Sequence, residues 1–577
     1  VHAVVLRIDR RTHCPGEIPR REFDANRLIL TAAVAPGLEQ HRLSILRSII
    51  LAAFFHFDCF ASRALSPREP VVSTPRIRLA CAIGVLTLLG CYSAVAASDP
   101  LGLTVDFTDL ASDRGGMPAP APEPAPNPSP YRGGMPVPAA APNPMPDTKN
   151  DAEQASRFGW LTDDESRFVA RGQSTYAWIR KFGFDAPYTG PQSLATRPET
   201  SYSLSFTGYL GARLWKGGEF YVDPEAFQAH PLSNLLGLAG VQNGELQKAS
   251  GVEIRAYFAR AYIRQSFEFG GDSREVSAGF NQLATHYDSR RLVFSVGKFP
   301  LTDFFERSSY ANDPRTQFMN WALITYGAYD YAADARGYNI GAIAELYWDD
   351  WAFRAGRGME PTIANGKSLH YNLFSRHGDQ VEIEHDHVFH GQPGAVRVLV
   401  YRNLANAGNY RESVALAAAS GTIPDITATR SMEAKTGYGV SVEQSLSPSV
   451  ALWGRGMRCD CNVEEYAFTE IDNSMSAGAS IKGSLWRRPD DTVGAAFSSN
   501  GLSASHRAYL AAGGLGGFLG DGRLNYAREQ DYEIYYSALV YRGVHLTADY
   551  QRVVNPGYNA DRHGPVNMVG GRVHFEF

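Results

Sequence analysis

The densest mixture of side chains able to hold a small polar molecule lies between residues 301 and 336. Glu306, Arg307, Asn312, Asp313 and Arg315 stand there beside Tyr310, Phe318 and Trp321, with Asp303 and Arg336 towards the two ends. Planar donors and acceptors suit the hydroxyls of a sugar, and an aromatic face suits the apolar C–H surface of its ring. A pore built for anions would concentrate Lys and Arg, and one built for cations Asp and Glu. The alternative for each aromatic is that it packs the segment against its surroundings.

A second group is set by alternation. Glu382, Glu384 and Asp386 interleave with Val381, Ile383, His385 and His387, so a strand would carry the acids on one face and the other four on the opposite one. Arg354 and Arg397 fall on neighbouring alternating segments, and Arg213 on another. Such facing charges would set a transverse field that orders water and sugar hydroxyls. His385, His387 and His390 have a spacing that metal ligands can use. The first two share the apolar face, however, which predicts interfacial histidines. Cys459-Asp-Cys461 offers only two thiols, an incomplete metal site, and is expected to be a local disulfide or loop variation. No nucleophile–base pattern, phosphate-cradling loop or dinucleotide fingerprint stands out. No enzyme activity, cofactor or metal is therefore expected.

The elements positioning these residues are strands. In Tyr202–Leu214, Tyr202, Leu204, Phe206, Leu210 and Leu214 share one face, while Ser203, Ser205, Thr207, Tyr209 and Arg213 share the other. The pattern recurs around Met475, Val544 and Val396. A soluble sandwich also alternates, so the connections decide. Short turn-like junctions (Lys216-Gly-Gly218, Asp349-Asp350, Gly391–Gly394, Ser447–Ser449, Arg488–Asp491, Arg542-Gly543) take turns with long ones, the longest being 301–336. One longer connection, about 270–290, falls where a short turn is expected. This is the grammar of an outer-membrane barrel, with tight periplasmic turns and long extracellular loops. It predicts an all-β fold: a 16-stranded antiparallel transmembrane β-barrel over residues 170–577, with 301–336 folded inward. Sixteen strands would enclose an aqueous channel rather than a side-chain-filled core.

Composition agrees. In 577 residues, aromatics reach 12% and charged residues only 20%, with 55 Gly and 29 Tyr; a mean hydropathy of −0.25 excludes a bundle of transmembrane helices. The formal charge of −5 divides unevenly, residues 1–97 carrying 12 Arg against 7 acids. The main body has no basic stripe, and no nucleic-acid partner is expected. Arg76–Gly90 followed by Ala94-Val95-Ala96 reads as a signal peptide, assigned to 71–97; Leu88–Cys91 offers lipidation at Cys91 as the alternative. Residues 1–70 read as upstream mistranslation or an N-terminal extension. Residues 98–169 read as a periplasmic linker and pre-barrel segment, with 12 of the 33 prolines between Pro118 and Pro146.

Several segments together resemble the OprB family of carbohydrate-selective porins. They are Tyr209–Phe220, Gly297-Lys298 with Asp303-Phe-Phe305, Asn312–Phe318, Asp334–Tyr338, Glu465–Asp472, Tyr509–Gly514 and Asn555-Pro-Gly-Tyr558. The resemblance implies passive uptake of small neutral sugars, such as glucose, across the outer membrane of a Gram-negative bacterium. The terminal Val573-His-Phe-Glu-Phe577 resembles the signal through which the barrel assembly machinery recognises such chains. Outer-membrane lipid is the other expected partner, with cell-wall contact through the Pro-rich linker. Channel and substrate-binding candidates are Asp303, Arg307, Asn312, Asp313, Arg315, Trp321, Arg336, Arg213, Arg354, Glu382, Glu384 and Arg397. The rival readings are a general diffusion porin without a sugar site and a barrel that anchors an envelope tether.

Overall fold

The computed structural model describes residues 166–248, 252–468 and 470–577. The expected extension, signal peptide and Pro-rich linker lie outside the described residues. Alternation of apolar and polar side chains yields strands wherever one face meets lipid and the other the interior. Those of the first half are β1 (Phe168–Lys181), β2 (Glu199–Trp215), β3 (Gly218–His230), β4 (Arg255–Glu268), β7 (Arg290–Phe299), β8 (Asn339–Trp348), β9 (Trp351–Met359) and β10 (His377–Phe389). The second half supplies β11 (Gln392–Ala407), β12 (Ser431–Ser447), β13 (Val450–Cys459), β14 (Asn473–Lys482), β15 (Thr492–Gly501), β16 (Glu529–Tyr541), β17 (Val544–Val554) and β18 (Val566–Glu576).

These sixteen strands form one closed antiparallel barrel, each paired with its neighbours in chain order and β1 with β18. Closure removes every free sheet edge. Beyond the last residue of β18, Phe577 and Gly172 exchange backbone hydrogen bonds at 2.9 and 2.8 Å. The face assignment matches the alternation: Phe206, Leu210 and Leu214 are exposed, whereas Ser203, Ser205, Thr207 and Tyr209 are buried inside.

The longer connection has a structure of its own. Between β4 and β7 the chain forms a hairpin, β5 (Ser273–Val276) and β6 (Thr285–Asp288), at the end carrying the short turns. Its tip turns into the barrel. The Phe280 ring lies 4.4 Å from that of Tyr209, Asn281 Nδ2 donates to Asp223 Oδ2 at 2.9 Å, and Leu283 N donates to Tyr221 Oη at 3.3 Å.

Inside the barrel, the inward-folded loops pack against the wall. Phe304, Phe305, Phe318, Trp321, Tyr326 and Tyr329 of the long loop pack in one buried cluster with the wall residues Tyr221, Tyr262, Tyr401, Trp453 and Tyr535. A second loop joins it: Val241 O accepts from Trp321 N at 2.8 Å. Loop side chains therefore narrow a barrel that strand number alone would leave wide. The reason is that the inward-folded loops carry their own apolar residues, which bury against the tyrosines lining the wall.

Candidate functional site in the barrel lumen

Several ion-paired groups join loops to the wall around the interior, and three of them hold residues singled out above. In the first, Arg315 of the long loop donates through Nε to Glu245 at 2.7 Å, through Nη2 to Glu225 at 2.7 Å and through Nη1 to Thr207 at 2.9 Å. Glu245 belongs to the second inward loop, Glu225 and Thr207 to the wall. Burial alone would raise the Glu245 carboxyl, but Arg315 and Lys248 outweigh it and hold it below the ordinary carboxylate value.

In the second group, Arg260 on β4 grips Asp303 with both arms of its fork, at 2.6 and 2.8 Å, a geometry guanidinium provides and ammonium does not. Its remaining nitrogen reaches Asp223 at 3.2 Å, the carboxylate that also holds Asn281 of the hairpin tip. The outer loop and the periplasmic hairpin thus share one charge relay. At this place β3 and β4 shift register between Asp223 and Pro224, a bulge where a proline costs no ladder bond.

The third group is the one that alternation predicts. Glu382 faces Arg354 and Glu384 faces Arg397 across adjacent strands. Arg354 lies 2.9 Å from Glu382, 3.1 Å from Glu384 and 3.4 Å from Glu345. Arg397 lies 2.6 Å from Glu384 and 3.2 Å from Glu443. Here too a loop is tied in: Glu306 N donates to Glu382 at 2.7 Å, and Ser308 Oγ and Ser309 N donate to Glu443, each at 3.0 Å. Burial pushes the Glu306 carboxyl up to about 7, with Arg455 opposing.

Four candidates, Arg354, Glu382, Glu384 and Arg397, therefore meet in one cluster. Asp303 and Arg307 meet in another, lining a pocket with Arg264 and Arg291. The rest stand apart. Asp313 shapes its own turn, accepting from Arg315 N at 2.9 Å and Thr316 Oγ1 at 2.8 Å. Asn312 N donates to Gln317 Oε1 at 2.6 Å. Trp321 packs against Phe468, with ring centroids 4.9 Å apart. Arg336 lies over the Tyr257 ring at 4.3 Å, and Arg213 sits near the periplasmic end, 3.3 Å from Glu219. Of the remaining motifs, His385 stacks on Trp351 at 4.3 Å, and Cys459 and Cys461 are disulfide-bonded.

Sequence reasoning missed Arg260, Arg264, Arg291, Glu225 and Glu245. Arg260, Tyr262 and Arg264 share parity on β4, a signal that was available; Glu245 lies in a loop, where parity says nothing.

The profile described as "Carbohydrate-selective porin, OprB family" matches residues 191–577. This chain belongs to the OprB family. The high-pH structure of Pseudomonas putida OprB is similar at a TM-score of 0.57 with 15% identity, covering 74% of this chain and 97% of that one. The Acinetobacter baumannii outer-membrane channel DcaP is similar at a TM-score of 0.40 with 10% identity, covering 71% and 97%. A search of curated proteins finds no match. As an OprB-family porin, the chain is an outer-membrane channel.

Proposed function

We propose that this porin passes small sugars, glucose among them, by passive diffusion through the lumen. The supporting observation is the pairing of its lumen charges. Arg260 with Asp303 and Asp223, and Arg354 and Arg397 with Glu382, Glu384 and Glu443, present polar edges of both signs with tyrosines between them. Paired charges orient hydroxyl groups without setting up the single-sign ring of an ion channel. Outer-membrane lipid covers the exposed strand faces, and the terminal Phe577 addresses the assembly machinery. In the same proposal, 71–97 exports the chain, and the linker in 98–169 contacts the cell wall.

Liposome swelling with the purified full-length porin tests the sugar reading. Monosaccharides should enter faster than uncharged non-sugar solutes of equal size. Rates set by size alone would identify a general diffusion porin.

A further inference from the structure

Beneath the long loop, and floored by the periplasmic hairpin, lies a small pocket. It takes Arg307 from the loop, Gln282 and Tyr287 from the hairpin, and Arg264 and Arg291 from the wall. Two carboxylates also line it, Asp303 and Glu345, but both are held by arginines outside the lining. Asp303 is gripped by Arg260, and Glu345 lies 3.4 Å from Arg354 and accepts from Tyr347 Oη at 2.7 Å. Arg264 has Glu219 at 3.7 Å.

Arg291 is the informative member. Its relative exposure is 4%, and it has no ion pair with a carboxylate among the described residues. The guanidinium lies 3.9 Å from the Tyr347 ring centre and 5.0 Å from that of Tyr287, and one nitrogen donates to Asp288 O at 3.0 Å. The two rings flank the guanidinium, and the nitrogens not engaged with Asp288 O are the ones an acceptor would meet. A buried guanidinium without a counter-ion is costly. The pocket thus has the charge and donor geometry for a carboxylate, which guanidinium binds in bidentate fashion. The pocket is small, so a ligand would place only its carboxylate there and keep the rest towards the lumen.

Resting on the sugar-channel reading above, we propose that this pocket binds the carboxylate of acidic sugars, uronates or aldonates, with Arg291 as its partner. The hairpin is then a selectivity element, contributing Gln282 and Tyr287.

The test uses the full-length porin in planar bilayers, with glucose, glucuronate and acetate as blockers of ion current. Glucuronate should bind more tightly than either glucose or acetate. Arg291→Gln should lower the glucuronate-to-glucose ratio of binding constants by about tenfold, and Arg291→Lys should restore part of it. Heat-modifiable migration of each variant confirms that the barrel has formed. A ratio unchanged in folded Arg291→Gln, or acetate binding as tightly as glucuronate, overturns the proposal while leaving the sugar channel intact. If neither sugar blocks or permeates the unmodified channel, the sugar reading falls, and this proposal with it.

Discussion

At the scale of residues, the lumen arginines differ in what their removal does. Arg315 is a cross-link between two loops and the wall, with 7% of its side chain exposed. Arg315→Ala leaves Lys248 as the remaining cation beside the buried Glu225 and Glu245, and should cost about 3–5 kcal/mol, read as a lowered urea midpoint of the folded porin in lipid. A change in sugar flux in that variant would report loop displacement rather than a lost sugar contact. Outside the strands, His506 lies 3.3 Å from Asp472 and 3.7 Å from Glu470. Burial disfavours its charged ring, yet these carboxylates prevail and lift it to about 9; His506 in turn outweighs burial at Asp472 and draws it down to about 2. The raised histidine stabilises the folded loops fully below its ordinary value near 6.5, and that contribution is lost as pH rises through about 9. The depressed aspartate contributes above its ordinary 3.8 and loses its share as pH falls towards about 2. Protease cleavage of the loops around 460–472 and 502–528 should therefore be faster at alkaline than at neutral pH. His506→Gln should be cleaved at similar rates at both; a wild-type rate that is flat with pH would refute the coupling.

At the scale of elements, carboxylates of the wall anchor the loops by accepting from backbone N–H groups. Glu529 on β16 accepts from Ala239, Gly240 and Gly557, and Glu533, four residues on, from Met319 and Asn320. This is how long loops turn inward without leaving their amides unsatisfied. The β5–β6 hairpin is held more lightly, by side chains such as Asn281 on Asp223. Replacing 270–289 with a two-residue turn like Asp349-Asp350 should keep the barrel and raise single-channel conductance severalfold. Unchanged conductance would show that the hairpin does not narrow the path. On the lipid side, Val398 is 45% exposed midway along β11, opposite Ile383. Val398→Arg should destabilise the folded porin by about 2–4 kcal/mol in bilayer unfolding.

At the scale of the whole molecule, barrel closure depends on the last strand. β18 pairs with both β1 and β17, and Phe577 extends that seam through Gly172. Removing Phe577 should lower the yield of assembled porin in the outer membrane while leaving the conductance of the assembled fraction unchanged, which surface biotinylation and bilayer recording would show. How far the fold was legible follows from the length scale of each signal. Strand parity repeats every two residues, and together with the alternation of short and long connections it placed the sixteen barrel strands and their turns and turned the acids of β10 to the face shared by Arg354 and Arg397 on its neighbours; which acid meets which arginine came from the register. Sequence by itself thus determined the barrel, its lipid face and the charge facing inward. Only the tertiary structure decided that a second loop joins 301–336 inside the barrel, that Glu245 and Arg315 meet, and that the hairpin seats Gln282 and Tyr287 beside Arg291. Those contacts join segments whose separation along the chain carries no periodicity, and they are selected by burial and charge pairing once the barrel has closed.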